Sequence, residues 1–197
     1  MVTIKEYRML KDLILKNRSY RRFNQEETIE LETLKELVDL ARLSGSGANL
    51  QPLKYILSND PQKNALIFEQ LAWAGYLEDW QGPVEGERPS AYIILVGDTK
   101  IRKSPYCDHG IAAQSILLGA GEKGLGGCMI GSIQKKKLCQ LLKIPDRFEI
   151  LLVIALGKPI EKVVIETARN GDIKYWRDEN DIHHVPKRPL EEIILDL

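Results

Sequence analysis

Tyr92-Ile93-Ile94-Leu95-Val96 is apolar at every position, and β-branched or aromatic at all but Leu95. A five-residue run of that composition, with no polar alternation, reads as a central strand covered on both faces. A second such run spans 150–156. Between and around them the chain is helical in period. Residues 3–17 carry Ile4, Tyr7, Leu10, Leu13 and Ile14 close to one stripe, and residues 29–43 carry Leu31, Leu34, Leu37, Val38 and Ala41 at helical spacing. Thr28 is placed to cap this second helix, Glu30 and Glu32 suit its first turn, and Ser44-Gly45-Ser46-Gly47 ends it. Further helices are expected over 60–74 and 135–143, with a short strand at 55–58. Few strands, many helices and no regular strand–helix alternation give an α+β fold.

The stretch 108–124 is built mostly of Ala, Gly, Ile, Leu and Ser. A helix apolar nearly all round has to be covered nearly all round, and small residues let neighbouring backbones come close. A subunit interface is the preferred reading, since a domain of 197 residues has little volume to enclose it. Gly124 to Gly131 follows as a glycine-rich loop with an apolar middle. Beyond Gly157-Lys158-Pro159 the composition turns polar, and 173–186 reads as an extended arm or hairpin turning near 178–181, with a short helix at 190–195. One domain covering 1–197, with 160–197 as a C-terminal arm, is the simplest organisation.

Composition excludes several classes. Apolar residues make up 44% and charged residues 28%, as in soluble globular proteins. The runs at 91–97 and 150–157 are too short to span a bilayer, and the first fifteen residues do not read as a secretion signal, so no membrane partner and a cytoplasmic location are expected. Lys plus Arg and Asp plus Glu number 28 each, and zero net charge argues against nucleic acid. Cys107, Cys128 and Cys139 form no CxxC pair, and neither Cys107-Asp108-His109 nor His183-His184 supplies a metal site. Adjacent histidines in an extended segment point to opposite sides, and both read as surface residues. The glycines at 124, 126, 127 and 131 lack the strand-to-helix context of a dinucleotide fingerprint. No P-loop and no Gly-x-Ser-x-Gly elbow occurs.

Three polar clusters remain. Asn17-Arg18-Ser19-Tyr20-Arg21-Arg22-Phe23 sets arginines beside a hydroxyl, suited to forking onto phosphate or ring carbonyls; its alternative is a basic helix end answering the macrodipole. Ser44 to Pro52 offers two serines, two glycines, an Asn and a Gln on a backbone that a ligand can approach; its alternative is a solvated loop. Val185-Pro186-Lys187-Arg188-Pro189 holds two cations between prolines, against the alternative of a charged tail. Trp73, Tyr76 and Trp80 read either as substrate-stacking aromatics or as core and interface residues.

In this order and spacing the clusters resemble the nitroreductase family. The likeness runs through Asn17-Arg18-Ser19-Tyr20-Arg21-Arg22-Phe23, Ser46-Gly47-Ala48-Asn49-Leu50-Gln51-Pro52, Gly124-Leu125-Gly126-Gly127-Cys128-Met129-Ile130-Gly131 and Lys187-Arg188. The resemblance implies a central, mostly antiparallel sheet flanked by helices, in a homodimer that exchanges its C-terminal arm and holds FMN at the interface. It implies that Arg18, Ser19 and Arg21 contact the phosphate, ribityl chain and pyrimidine edge. Ser46, Gly47, Asn49 and Gln51 would approach from the other subunit. Gly127, Cys128, Met129 and Ile130 would run along the ring, and Lys187 with Arg188 would grip the phosphate. It implies no catalytic side chain, with Arg21 stabilising the reduced flavin. NADH or NADPH would be the donor, and nitroaromatics or quinones small-molecule acceptors, in a ping-pong cycle. The alternatives are a flavin store or sensor without turnover, and a module that binds phosphorylated ligands without flavin. Asn17 stands where many relatives have a phosphate-binding Arg, for which Arg18 or Arg22 would compensate. Met129 stands where an aromatic is frequent.

Overall fold

The computed structural model describes residues 4–196, with side chains from residue 9 onward. In chain order the elements are α1 (Ile4–Lys16), β1 (Phe23–Asn24), α2 (Leu31–Leu43), a 3-10 turn (Gly47–Asn49), β2 (Leu53–Ser58), α3 (Pro61–Phe68), β3 (Ala91–Asp98), α4 (Asp108–Glu122), β4 (Gly126–Ile130), α5 (Lys135–Leu141) and β5 (Phe148–Pro159). They continue with β6 (Val163–Thr167), β7 (Trp176–Arg177), β8 (His183–Lys187) and α6 (Leu190–Ile193).

The fold is α+β. A five-stranded antiparallel sheet runs β1-β5-β3-β2, with β4 also paired to β5, and a separate three-stranded sheet runs β6-β8-β7. All eight residues of β3 are buried, as its composition requires. Alternation divides them between two cores. Ile93 and Leu95 meet Leu34 and Leu37 of α2, Ile116 of α4, and Ile154 and Leu156 of β5. Tyr92, Ile94 and Val96 meet Ile67 of α3, Leu138 of α5, Cys128 of β4 and Val153 of β5. Each such large side chain, wholly withdrawn from water, contributes roughly 1.5–3 kcal/mol, so the two-sided burial of β3 anchors the sheet.

Several boundaries differ from the expected ones. Helix α2 starts at Leu31, so Thr28 is no cap, and Glu30 occupies the cap position without a side-chain bond. Helix α3 ends at Phe68 rather than 74; Asp60 caps it by accepting from the Lys63 amide at 2.7 Å. The glycine-rich segment is a strand, β4, rather than a loop. Gly127 has no side chain because a Cβ there would stand 2.3 Å from the Ala155 carbonyl oxygen across the sheet.

Helix α4 finds most of its cover within the chain itself. Ala112, Ala113, Ile116, Leu117 and Ala120 are buried, and Gly119 lets α2 approach so closely that a Cβ would meet Leu40 Cδ1 at 2.3 Å. Helix α2 and the strands β4 and β5 supply this cover, where the composition of α4 points to a subunit interface. The open apolar surface lies elsewhere. On α1, Met9, Leu10, Ile14 and Leu15 are exposed, while Ile4 and Tyr7 lie outside the described side chains. Around α6, Leu190, Ile193, Ile194 and Leu195 are exposed as well. Among the described residues no helix is long and apolar enough to cross a membrane.

Candidate cofactor site

The hairpin β7–β8 turns at 178–182 and returns the chain to its own beginning. There a cavity of about 370 Å³ is lined by Asn17, Arg18, Ser19 and Arg21 from one end, and Tyr175, His183, Val185 and Lys187 from the other. Leu117 and Met129 supply its apolar surface. The cations at its wall are Arg18, Arg21 and Lys187, and among the described residues no carboxylate lines it.

Each cation is held differently. Arg18 donates from Nη2 to the Ile14 carbonyl at the end of α1 at 2.8 Å, and its buried Nε has no partner. Burial lowers its pKa, though not enough to remove the charge of an arginine. Arg21 is fixed through its backbone, whose amide donates to the buried Glu161 carboxylate. Its Nη1 donates to the Ser19 carbonyl at 3.3 Å and lies 3.3 Å from His183 Nε2, while its guanidinium rides 5.0 Å above the centre of the Tyr175 ring. Lys187 is exposed and makes no ion pair among the described residues.

Strand β4 forms the next wall. Ser19 bridges Gly127 in parallel register, and the Tyr20 amide donates to the Gly127 carbonyl at 3.1 Å. Met129 is the one exposed residue of β4. An adjoining cavity of about 230 Å³ shares Arg21, Met129 and Tyr175 and extends over Trp73, Ala74, Ile130 and Gly131. Cys128 is buried in the core behind it, and burial pushes its thiol up to about 12, so it is no nucleophile at neutral pH.

Other expected residues are placed away from this cavity. Arg188 follows β8 and pairs with Glu192 at 3.2 Å; alternation along the strand puts His183, Val185 and Lys187 on the cavity side and leaves Arg188 out. Arg22 does not substitute for Asn17, because Glu87 grips it through both oxygens at 2.7 and 2.6 Å. Ser46 and Gln51 line a different cavity, beside Tyr55 and Asp108. There Asp108 accepts from Ser46 Oγ at 2.7 Å and from the Gly47 amide at 3.0 Å, and the Gln51 side chain donates to Asn49. Ala48, Asn49 and Gln51 all carry positive φ near 50°, a costly conformation for residues with a Cβ.

The aromatics divide. Trp73 is core. Trp80 carries the Arg177 guanidinium 4.3 Å above its ring, and Tyr76 packs on Tyr175 at 4.8 Å.

Three residues of this neighbourhood escape a reading of the sequence. His183 is only 1% exposed, contrary to its expected surface place. Burial first, then Arg21 and Arg177, lower its pKa to about 4. Tyr175 packs between Tyr76 and His183. Glu161 accepts from the amides of Arg21 and Arg22 and from Arg177 Nη2, organising both arginines from beneath. The one signal was period two back from Lys187, which reaches His183.

A family model described as the nitroreductase family matches residues 14–158. The chain belongs to the nitroreductase family. A protein of Archaeoglobus fulgidus, named provisionally as a NADH dehydrogenase/NAD(P)H nitroreductase, is 28% identical over 155 residues, covering 75% of this chain and 83% of its own. A nitroreductase family protein from Streptococcus pneumoniae shares the fold with a TM-score of 0.71 at 20% identity, over 95% of this chain and all of the other. An FMN-dependent nitroreductase from Clostridium difficile gives 0.61 at 24% identity, over 80% of this chain and 90% of its own.

Proposed function

We propose that the chain is an FMN-dependent oxidoreductase that takes electrons from NADH or NADPH and passes them to nitroaromatic, quinone or similar acceptors in a ping-pong cycle. The observation that carries this reading is the cavity between the two ends of the chain, with three cations, no carboxylate and an apolar strand wall. The donor set suits FMN. Among the described residues Arg18 has an unpartnered buried Nε and Lys187 makes no ion pair, and both suit the phosphate. Arg21 suits the polar edge of the isoalloxazine, and Met129 with its neighbours on β4 suits the ring face. Bound FMN supplies the hydride chemistry, so no side chain is needed as a nucleophile. Arg21 would place positive charge where electron density rises on reduction.

A working unit of two chains completes the proposal. The Ser46–Gln51 loop presents its donors on a surface apart from the cationic cavity, and the apolar residues of α1 and α6 await cover. A second copy answers both needs. The chain acts as one domain with an arm over about 160–197. Because 175–177 pack on the chain's own Tyr76, Trp80 and Glu161, exchange between copies falls to the segment from α6 onward.

The deciding experiment is the visible spectrum of the purified protein, followed by NADH or NADPH without oxygen. A yellow protein that bleaches and is recoloured by a quinone or nitroaromatic is expected. A colourless protein that takes up no FMN refutes the cofactor reading, and a yellow one that never bleaches identifies a flavin store instead.

A further inference from the structure

His183 lies inside the cavity wall with its imidazole 1% exposed and Nε2 3.3 Å from Arg21 Nη1. Because a guanidinium can only donate, Nε2 must be the accepting, unprotonated nitrogen. The proton of the neutral ring therefore sits on Nδ1, which is buried without a partner. The groups facing the ring leave little room for another state. Arg21 and Arg177 are both cations. Tyr175 packs at 5.3 Å between ring centres, and His184 points to the other face, where Glu166 and Asp178 hold it. Glu161 lies beneath, engaged with the arginines.

These contacts account for one end of the Arg21 side chain and no more. Nη1 is committed to the Ser19 carbonyl and to His183, and the face is laid on Tyr175. Among the described residues Nε and Nη2 make no hydrogen bond, and Arg21 lines both adjoining cavities.

We propose that His183 is a positioning residue: as a neutral acceptor it pins Arg21 so that its free donor edge faces the electron-accepting edge of the cofactor. This rests on the FMN reading above. A fixed cation stabilises the reduced form without having to reorganise. Loss of the acceptor frees the guanidinium, and protonation of the acceptor repels it. Either event weakens the hold on reduced flavin more than on oxidised flavin.

The test is the midpoint potential of the bound flavin in the wild type, His183→Phe and His183→Gln. Phenylalanine keeps the ring volume and removes the acceptor, while the Gln carbonyl oxygen reaches close to the Nε2 position. His183→Phe is expected to weaken binding of reduced FMN about tenfold more than oxidised FMN, a fall of about 30 mV for a two-electron couple. His183→Gln is expected to stay near the wild type. In an Arg21→Gln background, His183→Phe should cause no further fall. A wild-type potential in His183→Phe with flavin bound overturns the proposal, as does an undiminished fall without Arg21. Should the Phe variant not fold, His183→Leu and His183→Gln decide: a fall confined to the Leu variant is expected, and equal potentials in the two overturn the proposal. A wild type that binds no FMN removes the cofactor reading itself, an outcome distinct from flavin bound with potentials unmoved.

Discussion

The cationic cavity and the Ser46–Gln51 loop are both rich in donors, yet one is assembled within the chain and the other is left facing outward. The cavity draws Arg18, Arg21 and Lys187 together from segments far apart in sequence, and among the described residues Arg18 Nε is buried without a partner and Lys187 makes no ion pair. In the loop Asp108 absorbs two donors, three residues are held at positive φ, and the cavity beside Ser46 and Gln51 is lined by Asp108 rather than by free cations. In the proposed site the cavity would form one half, and the loop would be the edge presented to a second copy. Charge placed by tertiary contacts makes the first, and backbone shape set by one buried carboxylate makes the second.

The sharpest way to break this contrast is to empty the cavity of charge. Arg18→Ala with Lys187→Ala should weaken FMN binding by roughly 3–6 kcal/mol, at about 1.5–3 for each hydrogen bond to a charged group. Titration followed by flavin fluorescence reads the change, and unaltered affinity would move the phosphate elsewhere. Next comes the loop. Asp108→Ala strips Ser46 and the Gly47 amide of their acceptor and should cost about 2–3 kcal/mol in urea unfolding. If the loop serves a second copy, the same variant also sediments with a weaker dimer.

Acid probes the cavity wall. His183 has a folded pKa of about 4, below the 6.5 of a free imidazole. Above pH 6.5 neither state binds the proton. Between 6.5 and 4 the unfolded chain binds it and the folded chain does not, so stability falls as pH drops through that window. The full shift corresponds to about 3 kcal/mol; partial solvent screening reduces the expected loss to roughly 2. Urea unfolding at pH 7 and 4.5 should show His183→Gln losing less than wild type by that amount. Arg22→Ala should cost about 1–2 kcal/mol of stability by breaking its paired bonds to Glu87, with FMN affinity unchanged. Arg188→Ala should move FMN affinity by less than about 0.5 kcal/mol, since its exposed pairing with Glu192 is worth little.

The sheet and helices were legible because burial on both faces leaves an unbroken apolar run, as in β3, and amphipathic helices leave their period. Strand β4 was misread since its glycines are required by contact with β5, a neighbour that no local pattern reveals. Arg18, Arg21 and Lys187 were found as motifs. Lys187 and Arg188 part company because a dipeptide has no inside or outside until its strand phase is set: Lys187 lines the cavity and Arg188 pairs with Glu192. Glu161 and Tyr175 were missed since a lone carboxylate or phenol carries no periodic signal, and their roles come from arginines brought against them by the turn of the arm. His183 reads as a surface residue when it is weighed only as half of an adjacent pair, whereas the phase of β8 buries it.

Strand β5 pairs with three others, and its last residue, Pro159, lies opposite Phe23. A chain emerging from the ribosome therefore holds Arg18 to Phe23 unplaced until β5 has been synthesised and docked, and the cavity waits longer still, for β8. Long-range strand pairing of this kind is slow to nucleate, so the cationic cavity is among the last features of the chain to be completed.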